Sequence, residues 1–157
     1  MALTDLNARL DATLSLIATD GTTEAADVYD AGQLKASLGI GSKLYARMGV
    51  TIQGAGAGTV QFQVFSCDAA DFGGKVVLNS SRIYDTNTEL LVSSMGTGIT
   101  KGTVIFLEIP AIPRNLVPAA NKFIGVQAVM VGATSAGSVT VDIVNGIDSI
   151  DTFYDAV

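Results

Sequence analysis

The chain has 157 residues, of which only 24 are charged, with 17 glycines, one cysteine and neither histidine nor tryptophan. A chain of this length buries most of its apolar surface in one core, so a single domain is expected. The missing histidine excludes imidazole general bases and His-dependent triads, and a single cysteine excludes intrachain disulfides and Cys-rich zinc sites. Net charge is −6, unevenly placed. Residues 1–30 carry −5, residues 142–157 carry −4, and the body between them carries +3. No basic stripe marks a nucleic-acid partner.

Residues 1–25 read as an N-terminal arm or helix. Leu3, Leu6, Leu10, Leu14 and Ile17 recur at steps of 3, 4, 4 and 3, the spacing of one helical face. Thr13, Ser15 and Thr19 dilute helix propensity and leave an extended arm as the competing reading. Either way the stripe is apolar and needs a surface to lie on, in the chain's own core or on a neighbour. The N-terminus lacks a basic segment followed by a continuous apolar run, so no cleaved signal peptide is expected.

From residue 26 to 147 the period changes to two. Leu44, Ala46, Met48, Val50 and Ile52 alternate with Tyr45, Arg47, Gly49 and Thr51. Val60, Phe62 and Val64 alternate with glutamines, and Val139, Val141 and Ile143 with Ser138, Thr140 and Asp142. This is the pattern of half-buried antiparallel strands. Residues 103–109 and 123–131 are apolar on both faces and read as central strands or strands covered on both sides. Residues 75–84 and 90–93 are further strand candidates. The uncharged stretches 48–67 and 123–141 are broken by Gly, Gln, Thr and Ser, so no membrane-spanning helix is expected. Gly54–Gly58 and Gly132–Gly137 read as hairpin turns. Pro110, Pro113 and Pro118 mark a long crossing loop, which suits a Greek key better than a meander. The expectation is an all-β jelly-roll or Greek-key β-sandwich, followed by a tail over 148–157.

Candidate chemistry is sparse. Gly39-Ile40-Gly41-Ser42-Lys43 fails the phosphate-loop spacing and leads into a strand pattern. The Gly54 and Gly96 doublets lack a strand-to-helix context for dinucleotides. Asp68 and Asp71 supply two carboxylates where calcium takes six to eight oxygens, and Asp142, Asp148 and Asp151 are scattered. Glu108 is expected in a structural ion pair with a base such as Arg114 or Lys122. Cys67 has no histidine to activate it and is expected as a small apolar residue. Tyr29, Tyr45, Tyr84 and Tyr154 are dispersed, so no sugar-stacking platform is evident. No catalytic, cofactor or metal residue is assigned, and no enzyme activity is expected.

The order of motifs resembles the jelly-roll capsid cement, or decoration, proteins of short-tailed bacteriophages, over roughly residues 10–148. The resemblance rests on Asp27-Val28-Tyr29-Asp30-Ala31-Gly32, the strand from Lys43 to Val50, the segment Gly54 to Val64, and the acidic loop Cys67 to Phe72. It continues in Lys122 to Val129 and Ala136 to Ile143. It implies a small jelly roll made in the host cytoplasm and bound to the outside of the virion head. Its partners would be the major capsid protein and its own copies, as a homodimer or trimer, with no nucleic acid, membrane or cofactor. The leucine stripe and the tail depart from the family pattern. Leu3, Leu6, Leu10, Leu14 and Ile17, with Phe153 and Tyr154 in the tail, are therefore the expected interface residues. A carbohydrate- or receptor-binding β-sandwich of a virion tail or fibre is the rival expectation.

Overall fold

The longest strand, β8 (Phe123–Asn145), has 23 residues, and the rest of the fold is arranged along it. In a computed structural model, residues 9–30, 44–68, 71–86, 99–110 and 123–145 are described. The other elements are β1 (Arg9–Ser15), β2 (Ala18–Glu24), β3 (Tyr29–Asp30), β4 (Leu44–Gly56), β5 (Thr59–Cys67), β6 (Val76–Asp85) and β7 (Val104–Ile109). The described residues contain strands and no helix. Alternation drives them: in β5, Val60, Phe62 and Val64 are fully buried while Thr59, Gln61 and Gln63 are half-buried on the opposite face.

Laid out straight, 23 strand residues would run about 76 Å, twice the ~39 Å diameter of a compact chain this size. β8 therefore bends, and its neighbours bend with it. Along one edge it pairs antiparallel first with β5, from Cys67↔Phe123 to Thr59↔Val131, and then with β4, from Gly56↔Thr134 to Leu44↔Asn145. Along the other edge lie β3, β2 and β1 in turn, from Asp30↔Phe123 to Arg9↔Asp142. β6 pairs with the outer edge of β5, and β7 with the outer edge of β4. The two layers are thus β1, β8 (134–145), β4, β7 and β2, β8 (123–131), β5, β6. This is the strand order of a jelly roll. Its single core joins Leu10 and Leu14 of β1, Met48 of β4 and Leu107 of β7 to Phe62 of β5 and Val126 and Met130 of β8.

The corner between the layers corrects one expectation. Gly54–Gly58 and Gly132–Gly137 are not hairpin turns. β4 and β5 do not pair with each other; both pair with β8, which runs through 132–137 as one strand. A glycine run supplies positive φ for a turn and for a bend alike, and here it lets two strands cross the corner in contact. Gly56 has φ +110°, and a Cβ there would lie 2.4 Å from the carbonyl oxygen of Ala133. Thr134 pins the same corner from the other side: its Oγ1 accepts the Ala18 N–H at 2.9 Å and donates to the Leu16 carbonyl at 2.5 Å.

The N-terminal stripe resolves in favour of extension over the described residues 9–15. β1 is a strand of the sheet, and Leu10, Leu14 and Leu16 face the core. β8 is central, as expected for residues 123–131, but β7 is an edge strand. The open sides of the sandwich are tied by short bonds. Asn79 Nδ2 on β6 donates to the Glu108 carbonyl on β7 at 2.8 Å, and Asp27 N–H to the Leu10 carbonyl at 2.9 Å. The uncharged stretches 48–67 and 123–141 are strands, and no helix among the described residues is long and apolar enough to cross a membrane. Residues 90–93, Pro113 and Pro118 of the expected crossing loop, and the tail over 148–157 lie outside the described residues.

Candidate interaction surfaces

The outer face of the first layer is organised around one carboxylate. Val141 and Ile143 point into the core, so Asp142 between them faces outward. Register sets it in a row with Arg9 of β1, Arg47 of β4 and Phe106 of β7. Its two oxygens accept from Arg9 Nε and Arg47 Nη1, each at 3.0 Å. The arginine side chains cover it until only 2% of the residue is exposed. Charge-assisted bonds of this kind hold three strands in one register. Further along the face, Thr140 Oγ1 donates to the Gly49 carbonyl, and the Thr51 and Ser138 hydroxyls meet at 2.6 Å. Tyr45 and Glu108 continue the face toward its far end.

The outer face of the second layer carries amides where the first carries charges. Gln127 Nε2 donates to Gln63 Oε1 at 2.8 Å, Gln63 Nε2 to Gln61 Oε1 at 3.4 Å, and Gln61 Nε2 to the Ser81 carbonyl at 2.9 Å. Lys75 enters at one end, donating to Gln127 Oε1 and pairing with Glu24 on β2. The chain of bonds crosses β2, β8, β5 and β6. Beside it the Phe65 ring lies on Gly125, where a Cβ would come within 2.4 Å of the ring. Phe72 packs edge-on against Phe65, and the Lys75 ammonium stands 5.1 Å from the Phe65 ring centre and 5.5 Å from that of Phe72. Such cation–aromatic contacts fold the 68–75 loop over this end of the sheet. Toward the corner the face turns apolar: Ile83 and Val131 are each 61% exposed.

The expected interface residues divide. Leu10 and Leu14 are 2% and 1% exposed and belong to the chain's own core, so neither meets a partner. Their apolar character is spent on β8 and the opposite layer. Ile17 is 60% exposed at the bend between β1 and β2. Leu3, Leu6, Phe153 and Tyr154 lie outside the described residues, as do Gly39–Lys43, the Gly96 doublet, Asp148 and Asp151.

The remaining candidates take structural places. Asp71 Oδ1 accepts the Gly73 N–H within the β5–β6 loop, and the Asp68 carboxylate lies against Gly73 and Gly74 of the same loop. Cys67 is buried. Glu108 is exposed on the outer face of β7; Arg114 and Lys122, its expected partners, are outside the described residues. Tyr84 packs against Phe62 in the core, while Tyr45 lies on the first layer's outer face and Tyr29 packs against the core beside β8. Among the described residues no group of three or more His, Cys, Asp or Glu is placed to hold a metal ion.

Sequence reasoning missed three features: the bi-arginine clamp on Asp142, the glutamine row, and the Ile83–Val131 patch. The first two had a signal. Gln61 and Gln63 alternate with Val60, Phe62 and Val64, and Asp142 sits between two inward aliphatics, so their face was legible. Their cross-strand partners depend on register, which alternation alone does not give. Both outer faces are laced across strands, the first by the Asp142 ion pairs and the second by the glutamine row. No protein-family model matches this chain, and no curated protein matches it.

Proposed function

We propose that this protein is a capsid cement protein, which binds the outer surface of an assembled bacteriophage head and bridges major capsid subunits. The observation that supports it most is the strand order. The order of motifs resembling the cement family implies a jelly roll, and the pairing of β8 with β4, β5 and the N-terminal strands has that winding. The two outer faces, one with its Asp142 carboxylate matched by two arginines and the other with a row of bonded amides, suit contacts between folded surfaces. The action is linkage: a protein that binds only the assembled shell lowers the shell's free energy by mass action. Among the described residues Tyr29, Tyr45 and Tyr84 lie in different places in the fold and form no shared stacking platform for the carbohydrate-binding reading.

The test is to add the purified chain to mature shells that lack it. Co-sedimentation with the shells, density on their outer surface by cryo-electron microscopy and a raised temperature of shell disruption are expected. Recovery of the chain entirely in the supernatant at saturating shell concentration refutes the reading.

A further inference from the structure

We infer that the Lys75 amine forms an isopeptide bond with the carboxamide of Gln127, with Glu24 moving the protons. The inference goes beyond the cement reading and does not rest on it. Three side chains from separate parts of the chain meet at the end of the second layer where β8 begins. Glu24 of β2 and Gln127 of β8 lie opposite each other in the ladder. Lys75, just ahead of β6, pairs with the Glu24 carboxylate and donates to Gln127 Oε1 at 3.4 Å. That is a non-bonded distance, so the structure holds the groups before reaction. They are the three that an amide transfer needs: an amine nucleophile, a carbonyl carbon, and a carboxylate that takes and returns a proton.

The surroundings fix the groups and limit the water around them. Gln127 is 8% exposed, and the rings of Phe65 and Phe72 flank the amine. Gln127 Nε2 donates to Gln63 Oε1 at 2.8 Å, which sets the carboxamide with its oxygen toward Lys75 and its nitrogen away. Rotation of the carboxamide turns Cδ to Nζ. Reactants held in this way react as if at very high concentration, because the entropy of bringing them together is already lost in folding. Glu24 takes a proton from the Lys75 ammonium, and the freed lone pair attacks Gln127 Cδ. The Nζ–Cδ bond forms and the carbonyl becomes a tetrahedral oxyanion. A second proton passes from Nζ to Nε2, the carbonyl re-forms, and the Cδ–Nε2 bond breaks. Ammonia leaves, taking up the proton that Glu24 first removed. Nothing is oxidised or reduced, and no further reactant enters. The product ties the start of β6 to β8 across β5, between residues 52 apart in sequence. Such a link restricts the unfolded chain as a disulfide does, in a chain with only one cysteine.

The experiment is the intact mass of the purified full chain under denaturing conditions, with tandem mass spectrometry of its peptides. The wild type is expected to be lighter than its sequence by one ammonia, with the Lys75 peptide joined to the Gln127 peptide. Lys75→Arg, Gln127→Ala and Glu24→Ala are expected at their full sequence masses. Lys75→Arg keeps the positive charge beside Glu24, and its wild-type circular dichroism separates loss of the bond from loss of the fold. Folded wild type that stays at its sequence mass after prolonged incubation at mildly alkaline pH overturns the inference. So does a loss of ammonia that persists in Lys75→Arg or is undiminished in Glu24→Ala, and so does a loss of water in its place.

Discussion

Leu14→Ala distinguishes a core strand from a docking arm. Leu14 is 1% exposed and lies opposite Val139 in the β1–β8 ladder. Truncating a buried leucine costs about 2–5 kcal/mol, depending on how far the site relaxes. β1 is an edge strand, and its pairing has register breaks between Arg9 and Asp11 and between Asp11 and Leu14, so some collapse is available. The expected cost is therefore in the lower part of that range, about 2–4 kcal/mol. With a urea slope of about 2 kcal/mol/M, the unfolding midpoint falls by about 1–2 M. Ile17→Ala, three residues away but 60% exposed, stays within about 0.5 kcal/mol of the wild type. The assay is urea denaturation followed by far-ultraviolet circular dichroism, since the chain has no tryptophan. If Leu14→Ala unfolds at the wild-type midpoint, or Ile17→Ala is the more damaged, β1 is not part of the core. By the same burial, removal of residues 1–17 takes Leu10, Leu14 and Leu16 out of the core and is expected to unfold the chain.

The clamp on Asp142 is asymmetric. Asp142→Asn leaves Arg47, whose side chain is 19% exposed, without its carboxylate and is expected to cost about 3 kcal/mol in chemical denaturation. Arg9→Ala, which removes a side chain already 45% exposed, is expected to cost about 1 kcal/mol or less in the same assay. At the corner, Gly56→Ala meets both a φ of +110° and a Cβ contact of 2.4 Å with backbone, and is expected to cost about 3 kcal/mol or more. Gly102→Ala, at φ +88° with open space around it, carries only the backbone part, so its thermal midpoint falls distinctly less. Gly125→Ala sets a methyl against the Phe65 ring and is expected to cost about 1–3 kcal/mol. A double-mutant cycle with Phe65→Leu is expected to show a coupling above about 0.5 kcal/mol, because the two changes share one contact.

The strands were legible where one face is buried and the other is not. β4, β5 and the second half of β8 alternate aliphatic and polar residues, and burial follows that alternation through Val50 of β4; Ile52, expected on the same inward face, is 56% exposed because the register with β8 breaks after Val50. The N-terminal strand was harder. Leu10 and Leu14 are four apart, which fits a helical face and, being an even step, equally fits one side of a strand; the alternation is interrupted between them, where Ala12 is exposed and the register breaks. A bulge shifts parity, and alternation cannot be read through it. The glycine runs misled for a related reason. A hairpin and a sandwich corner both need residues free of Cβ, so composition does not separate them; the distinction lies in which strand each flank pairs with. The Asp142 clamp has the same character. Its acceptor was visible as an aspartate in an apolar strand, but Arg9 and Arg47 lie 133 and 95 residues away and are brought to it only by the jelly-roll winding.

That winding also explains how a chain with so few charges holds its register. Fifteen per cent of residues are charged, and within the sheets several of them are already committed across strands. Arg9 and Arg47 meet Asp142, and Lys75 meets Glu24. The Asp142 pairs fix β1 and β4 against β8 at a place where a slip by one residue would turn the buried side chains outward, and the Lys75–Glu24 pair ties the end of the β5–β6 loop to β2. Between those ions the second outer face is left mostly to amides, hydroxyls and aliphatics, with Asp85 of β6 in the row of Thr59 and Val131. Amides that satisfy one another can be covered without a large desolvation cost, whereas an unpaired charge cannot.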